Sequence, residues 1–60
     1  MFKFFVKMDG VSVAINPAWV VSVLPAIAEG QPCVLINGAD KCYWYVRGSL
    51  ADVVSSLNRE

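Results

Sequence analysis

Apolar and polar side chains alternate at the start of the chain. Every even position of residues 2–8 (FKFFVKM) is apolar, whereas two of the three odd positions are lysine. A period of two is typical of a half-buried β-strand. Residues 11–15 (VSVAI) alternate in the same way, with Val11, Val13 and Ile15 directed inward. The pattern therefore predicts two strands.

Asp9 and Gly10 stand between these two strands. Both residue types tolerate the positive φ that a type I′ turn requires, and Asp-Gly is a strong hairpin signal. The sequence therefore predicts a hairpin over residues 2–15 that is closed by a two-residue turn.

Prolines and glycines divide the middle of the chain. Asn16 and Pro17 break the second strand, since proline cannot donate a ladder hydrogen bond. A single helical turn over residues 17–20 is an alternative, because proline suits the first helical position. Pro25 ends the next apolar run. The predicted elements are a third strand over residues 19–24, a loop over residues 26–32, a fourth strand over residues 33–37, a turn over residues 38–40 and a fifth strand over residues 41–47.

The last stretch has the period of a helix. Leu50, Val53, Val54 and Leu57 follow the spacing i, i+3, i+4, i+7 of one apolar helix face. Ser49 precedes them and is a favoured N-cap. We therefore expect a helix over residues 50–58.

These elements define the predicted fold class, a single α+β domain over residues 1–60 that is mostly β. It has five short, mainly antiparallel strands in a small barrel-like sheet and one C-terminal helix. Trp19, which follows the Asn-Pro break, is interpreted as a plug at one end of the barrel.

The fifth strand carries the candidate binding residues. A period of two directs Cys42, Trp44 and Val46 toward the core. The opposite face holds two phenols flanked by two cations, namely Lys41, Tyr43, Tyr45 and Arg47. This face has three interpretations: cross-strand pairing of exposed aromatics, an interface between subunits, or a site where rings stack on a ligand and a cation holds its phosphate.

Composition points to self-association. The chain has 60 residues, of which 57% are hydrophobic and 17% are charged. So short a domain buries only about 60% of its unfolded surface, and large exposed apolar patches mark interaction sites. We therefore expect a homo-oligomer.

Charge and hydropathy argue against two classes of partner. Five basic and five acidic residues give zero net charge, whereas proteins that bind duplex nucleic acid are usually basic. The uncharged residues 11–28 contain Asn16, Pro17 and Pro25, and they are too broken for a membrane-spanning helix. We expect a cytoplasmic protein that has no signal peptide and contacts neither duplex nucleic acid nor a membrane.

Residues suited to catalysis and metal binding are scarce. The chain has no histidine, and no serine or cysteine has a base at a recognisable spacing. Cys33 and Cys42 cannot assemble a zinc site within one chain. They are interpreted as small hydrophobes, with a disulfide between neighbouring strands as the alternative. We expect no enzyme, no cofactor and no metal.

Several short motifs resemble the FlbD-like (SwrD-like) small proteins of flagellar operons, which have similar open frames in phage genomes. The matching residues are Ile15, Asn16 and Pro17, residues 20–23, residues 34–38 and residues 46–54 (VRGSLADVV). The resemblance covers most of the chain and implies a fold more than a function. The family's glutamate before the helix is Gly48 here, and the loop at residues 26–32 is longer and more apolar.

A weaker likeness is to the CsrA-type RNA regulators, which also have five strands and a terminal helix. Arg47 falls near the place where those proteins carry an RNA-contacting arginine. The chain lacks their HREEI run and their basic balance, so RNA binding is a minor alternative.

Two functions follow from these observations. The first is a non-catalytic homo-oligomer that sequesters a small anionic, nucleotide-type ligand at subunit boundaries. Phage anti-defence proteins that neutralise host immune nucleotides use this physical principle, and a phage origin would favour it. The second is a protein–protein adaptor or inhibitor without a small-molecule ligand, of the FlbD-like accessory kind.

Overall fold

Five strands and one helix follow one another in the computed structural model, which describes residues 1–59. The strands are β1 (Lys3–Val6), β2 (Ser12–Ile15), β3 (Val20–Ala28), β4 (Gln31–Gly38) and β5 (Tyr43–Val46), and the helix is α1 (Leu50–Asn58). Two 3-10 turns, Pro17–Trp19 and Ala39–Lys41, precede β3 and β5. The predicted α+β, mostly β fold class is confirmed.

The strands form two antiparallel sheets. β1 pairs with β2, and β4 lies between β3 and β5. A bridge between Lys7 and Val46 joins the sheets, and the N–H of Met8 donates to the carbonyl of Tyr45 at 3.0 Å. The sheets do not close into a barrel, because β2 and β3 do not pair. The barrel-like part of the expectation is therefore wrong.

The sequence of β3 explains why it remains an edge strand. Pro25 has no N–H to offer to a further strand. The register with β4 shifts between Val20 and Ser22, which leaves Val21 as an extra residue in a bulge. Prolines and bulges are typical of sheet edges that are kept from further pairing.

The first hairpin closes through a turn over residues 7–10, in which only Gly10 has a positive φ. Gly10 has a φ of 91°, and Asp9 does not share a positive φ. The N–H of Gly10 donates to the carbonyl of Lys7, and the N–H of Val11 donates to the carboxylate of Asp9, both at 2.9 Å. The expected two-residue type I′ turn is wrong, because Asp9 uses its carboxylate as a local acceptor instead of adopting a left-handed backbone.

The second hairpin replaces the loop expected over residues 26–32. Glu29 and Gly30 have φ values of 51° and 76°, the positive pair of a type I′ turn. β3 therefore continues past Pro25 to Ala28, and β4 begins at Gln31. Pro25 is accommodated because β3 is an edge strand. Pro32 is accommodated because β5 pairs only with residues 34–37 of β4, so no strand needs an N–H from position 32.

The fifth strand is shorter than expected at its beginning. Asp40 and Lys41 have φ values of 59° and 63°, which no strand residue adopts. β5 therefore starts at Tyr43, and Cys42 lies outside the strand with an exposed side chain. The assignment of Lys41 to the strand and of Cys42 to the core is wrong.

The core lies between the inner sides of the sheets and α1. Its buried residues are Phe5, Ile15, Val34, Ile36, Val46 and Val53. β1 therefore buries its odd-numbered side, and the neighbouring Phe4 is exposed. Val11 is also exposed, contrary to expectation, because it precedes β2 and belongs to the turn.

The helix begins at the predicted cap. The N–H of Asp52 donates to the hydroxyl of Ser49 at 3.2 Å, and Ser49 has an extended backbone. Val53 is buried in the core and Leu57 packs against it. Only two of the four residues of the predicted apolar face therefore contact the core, since Leu50 and Val54 remain exposed.

Removing the cap should lower stability measurably. We expect Ser49→Ala to reduce the free energy of unfolding by about 1 kcal/mol, because the N–H of Asp52 loses its acceptor. In a domain of this size that loss lowers Tm by roughly 4–8 °C. Urea and thermal unfolding followed by circular dichroism measure both. Ser55→Ala, an exposed change inside the same helix, is the matched control, and an equal loss in both variants would contradict the capping role.

Candidate functional site

The two tyrosines of β5 lie together on the outer side of the sheet. Tyr43 pairs with Asn37 and Tyr45 pairs with Leu35 on β4, which places all four side chains on one face. The ring centroids of the tyrosines are 5.9 Å apart and the rings meet at 81°. Edge-to-face pairs of this kind are favourable. We call this surface the tyrosine face.

The two predicted cations do not join the tyrosine pair. Lys41 lies in the left-handed turn before β5 and lines none of the cavities described below. Arg47 donates from Nη2 to the carbonyl of Met8 at 3.4 Å, which directs its guanidinium toward the first hairpin. Arg47 lines a different cavity, of about 390 Å³, beside Phe4 and the start of α1. Among the four predicted residues, only Tyr43 and Tyr45 both line the cavity that the two rings form.

Charges of both signs border the tyrosines. A shallow cavity of about 300 Å³ contains the two rings together with Lys7, Asp9 and Glu29. Lys7 Nζ lies 3.7 Å from a carboxylate oxygen of Asp9. The pKa of Asp9 is lowered, first by the hydrogen bond from the N–H of Val11 and then by Lys7. Two carboxylates against one ammonium make this cavity unfavourable for an anion within a single chain.

A second aromatic group surrounds a cavity of about 320 Å³, which we call the aromatic cavity. Its residues are Phe2, Ala14, Ile15, Asn16, Trp19, Ala39, Asp40, Cys42 and Trp44. Three rings and one carboxylate are thus collected from the N-terminus, the 3-10 turns and β5. No pattern in the sequence predicted this site.

Local structure fixes the two tryptophans of the aromatic cavity. Asn16 accepts a hydrogen bond from the N–H of Ala18 at 3.1 Å, which holds the turn that ends at Trp19. Trp44 lies over Gly38, where a methyl group would come within 3.0 Å of Cζ3 and 3.1 Å of Cη2. Trp19 is 55% exposed, so its interpretation as a barrel plug is wrong.

The two cysteines are separate. Cys33 is buried and Cys42 is exposed at the aromatic cavity, and both are free thiols. The alternative of a disulfide between strands is therefore wrong. Cys33 has the small-hydrophobe role expected of it.

The aromatic cavity gave no readable signal in the sequence. Trp19 and Trp44 are 25 positions apart, and no spacing rule connects two residues across a bulged sheet. The left-handed turn that places Asp40 at the cavity also escaped prediction, since Gly38-Ala39-Asp40 looked like an ordinary short turn. Only the tendency of Asn-Pro to start a turn indicated where Trp19 would lie.

Comparison of the chain with protein-family models, with curated proteins and with solved structures gives no match. The FlbD-like resemblance therefore stays an expectation that rests on its motifs. Within residues 1–59, no helix has both the length and the apolar character that crossing a membrane requires. In the same residues, no three acidic, cysteine or histidine side chains are grouped to hold a metal ion.

Adding one methyl group at Gly38 should test how tightly Trp44 is seated. We expect Gly38→Ala to lower the free energy of unfolding by about 1–3 kcal/mol, because the new methyl group overpacks the site beneath the indole. Urea unfolding measures the loss. The φ of Gly38 is −106°, so backbone strain does not contribute.

Trp44→Phe provides the matched background for this test. Phenylalanine lacks the two ring atoms that lie closest to position 38, so Gly38→Ala should cost less in that background, where only the 3.3 Å approach to the carbonyl of Trp19 remains. The two single variants and the double variant form a complete cycle. Equal costs in both backgrounds would contradict the contact.

Proposed function

We propose that this protein is a non-catalytic binding module that self-associates through its N-terminal hairpin and presents its tyrosine face to a protein partner. The observation that carries the proposal is an apolar face on the outer side of the hairpin. We call it the outer hairpin face, and its residues are Phe2, Phe4, Val6 and Ala14.

The register of the hairpin gathers these side chains on one surface. Phe4 pairs with Ala14 and Val6 pairs with Ser12, so each pair points to the same side. Phe2 continues the alternation one step before β1. Phe2 and Phe4 are 58% and 76% exposed. Ser12 is the only polar side chain of β1 and β2 on this side.

The area of this face is a large part of what a stable interface needs. A phenylalanine buries on the order of 200 Å², so covering Phe2 and Phe4 in two copies would remove roughly 500 Å² of apolar surface from water. Stable interfaces bury at least about 1,200 Å² in total. Val6, Ala14 and neighbouring atoms must therefore take part, which favours a face-to-face contact between two hairpins.

The tyrosine face is suited to a protein partner. Tyrosine is enriched where interfaces concentrate their binding energy, and Leu24 and Leu35 lie on the same side of the sheet as Tyr45. The mixed charges of Lys7, Asp9 and Glu29 match a polar interface rim better than a phosphate site. These features support an adaptor or inhibitor of the FlbD-like accessory kind.

Sequestration of a small planar anion, such as a nucleotide, is the second candidate. The exposed pair of Tyr43 and Tyr45 supports it, since bases stack on such rings. Further cations would have to come from another chain, because Lys7 is paired with Asp9 and neither Lys41 nor Arg47 lines the cavity that holds the two rings. This candidate corresponds to the phage anti-defence role and requires the oligomer, whereas the adaptor does not require it.

Phe4→Ser should disrupt self-association. We expect wild-type protein to be oligomeric in native mass spectrometry and in light scattering at tens of micromolar. Phe4→Ser should shift it toward monomer, because each copy loses its most exposed ring from the interface.

Ile27→Ser is the matched control for this experiment. Ile27 is 77% exposed, close to the 76% of Phe4, but it belongs to β3 and not to the outer hairpin face. It should leave the oligomer intact. A wild-type monomer, or equal dissociation in both variants, would overturn the proposed self-association.

Tyr43→Ala should separate the two candidate functions. For an adaptor, the variant loses a copurifying protein while the mass of the native oligomer changes only by the substitution itself. For sequestration, the wild-type oligomer carries an additional nucleotide-sized mass that leaves on denaturation, and Tyr43→Ala reduces it. If the variant keeps both its partner and any small ligand, the tyrosine face is not the binding surface.

A further inference from the structure

We infer that the aromatic cavity binds an organic cation, namely an alkylated ammonium group. The inference goes beyond the proposed function. Phe2 and Ala14 belong both to the aromatic cavity and to the outer hairpin face, whereas Trp19, Asp40 and Trp44 belong to the cavity alone. The inference concerns a different surface from the tyrosine face.

The first support is the chemistry of the cavity wall. Phe2, Trp19 and Trp44 supply three rings around about 320 Å³, which is within the usual size of small-molecule pockets. Aromatic rings attract cations through their negative faces, tryptophan most strongly. Cages of several aromatic rings are the common solution for quaternary ammonium groups, which cannot donate hydrogen bonds.

The second support is the charge of the cavity. Asp40 is the only charged residue among those that line it. Within residues 1–59 the single ion pair is Lys7–Asp9, so the carboxylate of Asp40 is not neutralised by an ion pair there. Lys41 follows Asp40 in the chain but does not line the cavity. An anion would meet an unfavourable field here, whereas a cation would meet a carboxylate and three rings.

The third support is that backbone structure holds these groups in place. Asp40 has a left-handed backbone, with a φ of 59°, inside a turn closed by a 2.7 Å hydrogen bond from the N–H of Gly38 to the carbonyl of Cys42. Gly38 also lets Trp44 approach closely, and the cap by Asn16 fixes the turn that carries Trp19. A site prepared in this way loses little entropy when a ligand binds.

Tryptophan fluorescence reports directly on this cavity, because Trp19 and Trp44 are the only tryptophans of the chain. The full-length protein is titrated with choline at constant ionic strength, and in parallel with 3,3-dimethylbutan-1-ol, its neutral isostere. We expect saturable quenching by choline with a Kd on the order of 1–10 mM. The neutral isostere should bind at least about 5-fold more weakly, because it lacks the attraction to the rings and to Asp40.

Variants assign the binding to named groups. Asp40→Asn should weaken choline binding about 3- to 10-fold by removing a charge, and asparagine tolerates the left-handed backbone as well as aspartate does. Trp19→Ala, at an exposed position, should weaken it at least as much, with Trp44 as the remaining reporter. Asp52→Asn makes the same chemical change outside the cavity and should leave the Kd unchanged.

Three results would overturn the inference. The first is the absence of a saturable response up to about 100 mM choline. The second is equal affinity for choline and its neutral isostere. The third is an unchanged Kd for choline in Asp40→Asn. A parallel titration with a trimethyllysine peptide identifies the source of the ammonium group. Tighter binding of the peptide assigns the site to a protein side chain, and tighter binding of choline assigns it to a metabolite or lipid headgroup.

Discussion

The attachment of the N-terminal hairpin to β5 is the contact on which the other surfaces depend. The N–H of Arg47 donates to the carbonyl of Val6 at 2.8 Å, and the bridge between Lys7 and Val46 continues the same antiparallel pairing. This short ladder is the only strand pairing between the two sheets in residues 1–59. It fixes the angle at which Phe5 enters the core, and therefore also the direction in which Phe4 points away from it.

The small size of the chain explains why so much apolar surface stays outside. β4 is the central strand of the three-stranded sheet, and its Val34 and Ile36 are almost fully buried beneath α1. One nine-residue helix can cover only this central region, so the outer side of the hairpin has no layer over it. A domain with two layers would bury that side against a second element. Here a second chain is the available cover, which connects the size of the protein to its proposed self-association.

The sequence predicted the elements better than it predicted their limits. The spacing of apolar residues predicted α1 and the inner face of β5 correctly. Val46 and Val53 are buried as expected, because the side on which each lies depends only on the period of its own strand or helix. The prediction failed at residues 26–32, where proline looked like a strand end although Pro25 lies on an edge that needs no donor. It also failed at Asp40, whose left-handed backbone depends on the register between β4 and β5. Such features are set by pairing between strands, which no local window of sequence contains.

Charge distinguishes the two aromatic surfaces more clearly than ring content does. Around Tyr43 and Tyr45, acidic and basic groups lie together and partly neutralise each other, so the rings meet a mixed environment that suits a protein rim. Around Trp19 and Trp44, a single carboxylate stands without a compensating cation among the lining residues. A cation–ring attraction strengthens when it is desolvated and when no competing positive charge is near. No cation lies among the residues that line the aromatic cavity, whereas at the tyrosine face Lys7 stands beside Asp9.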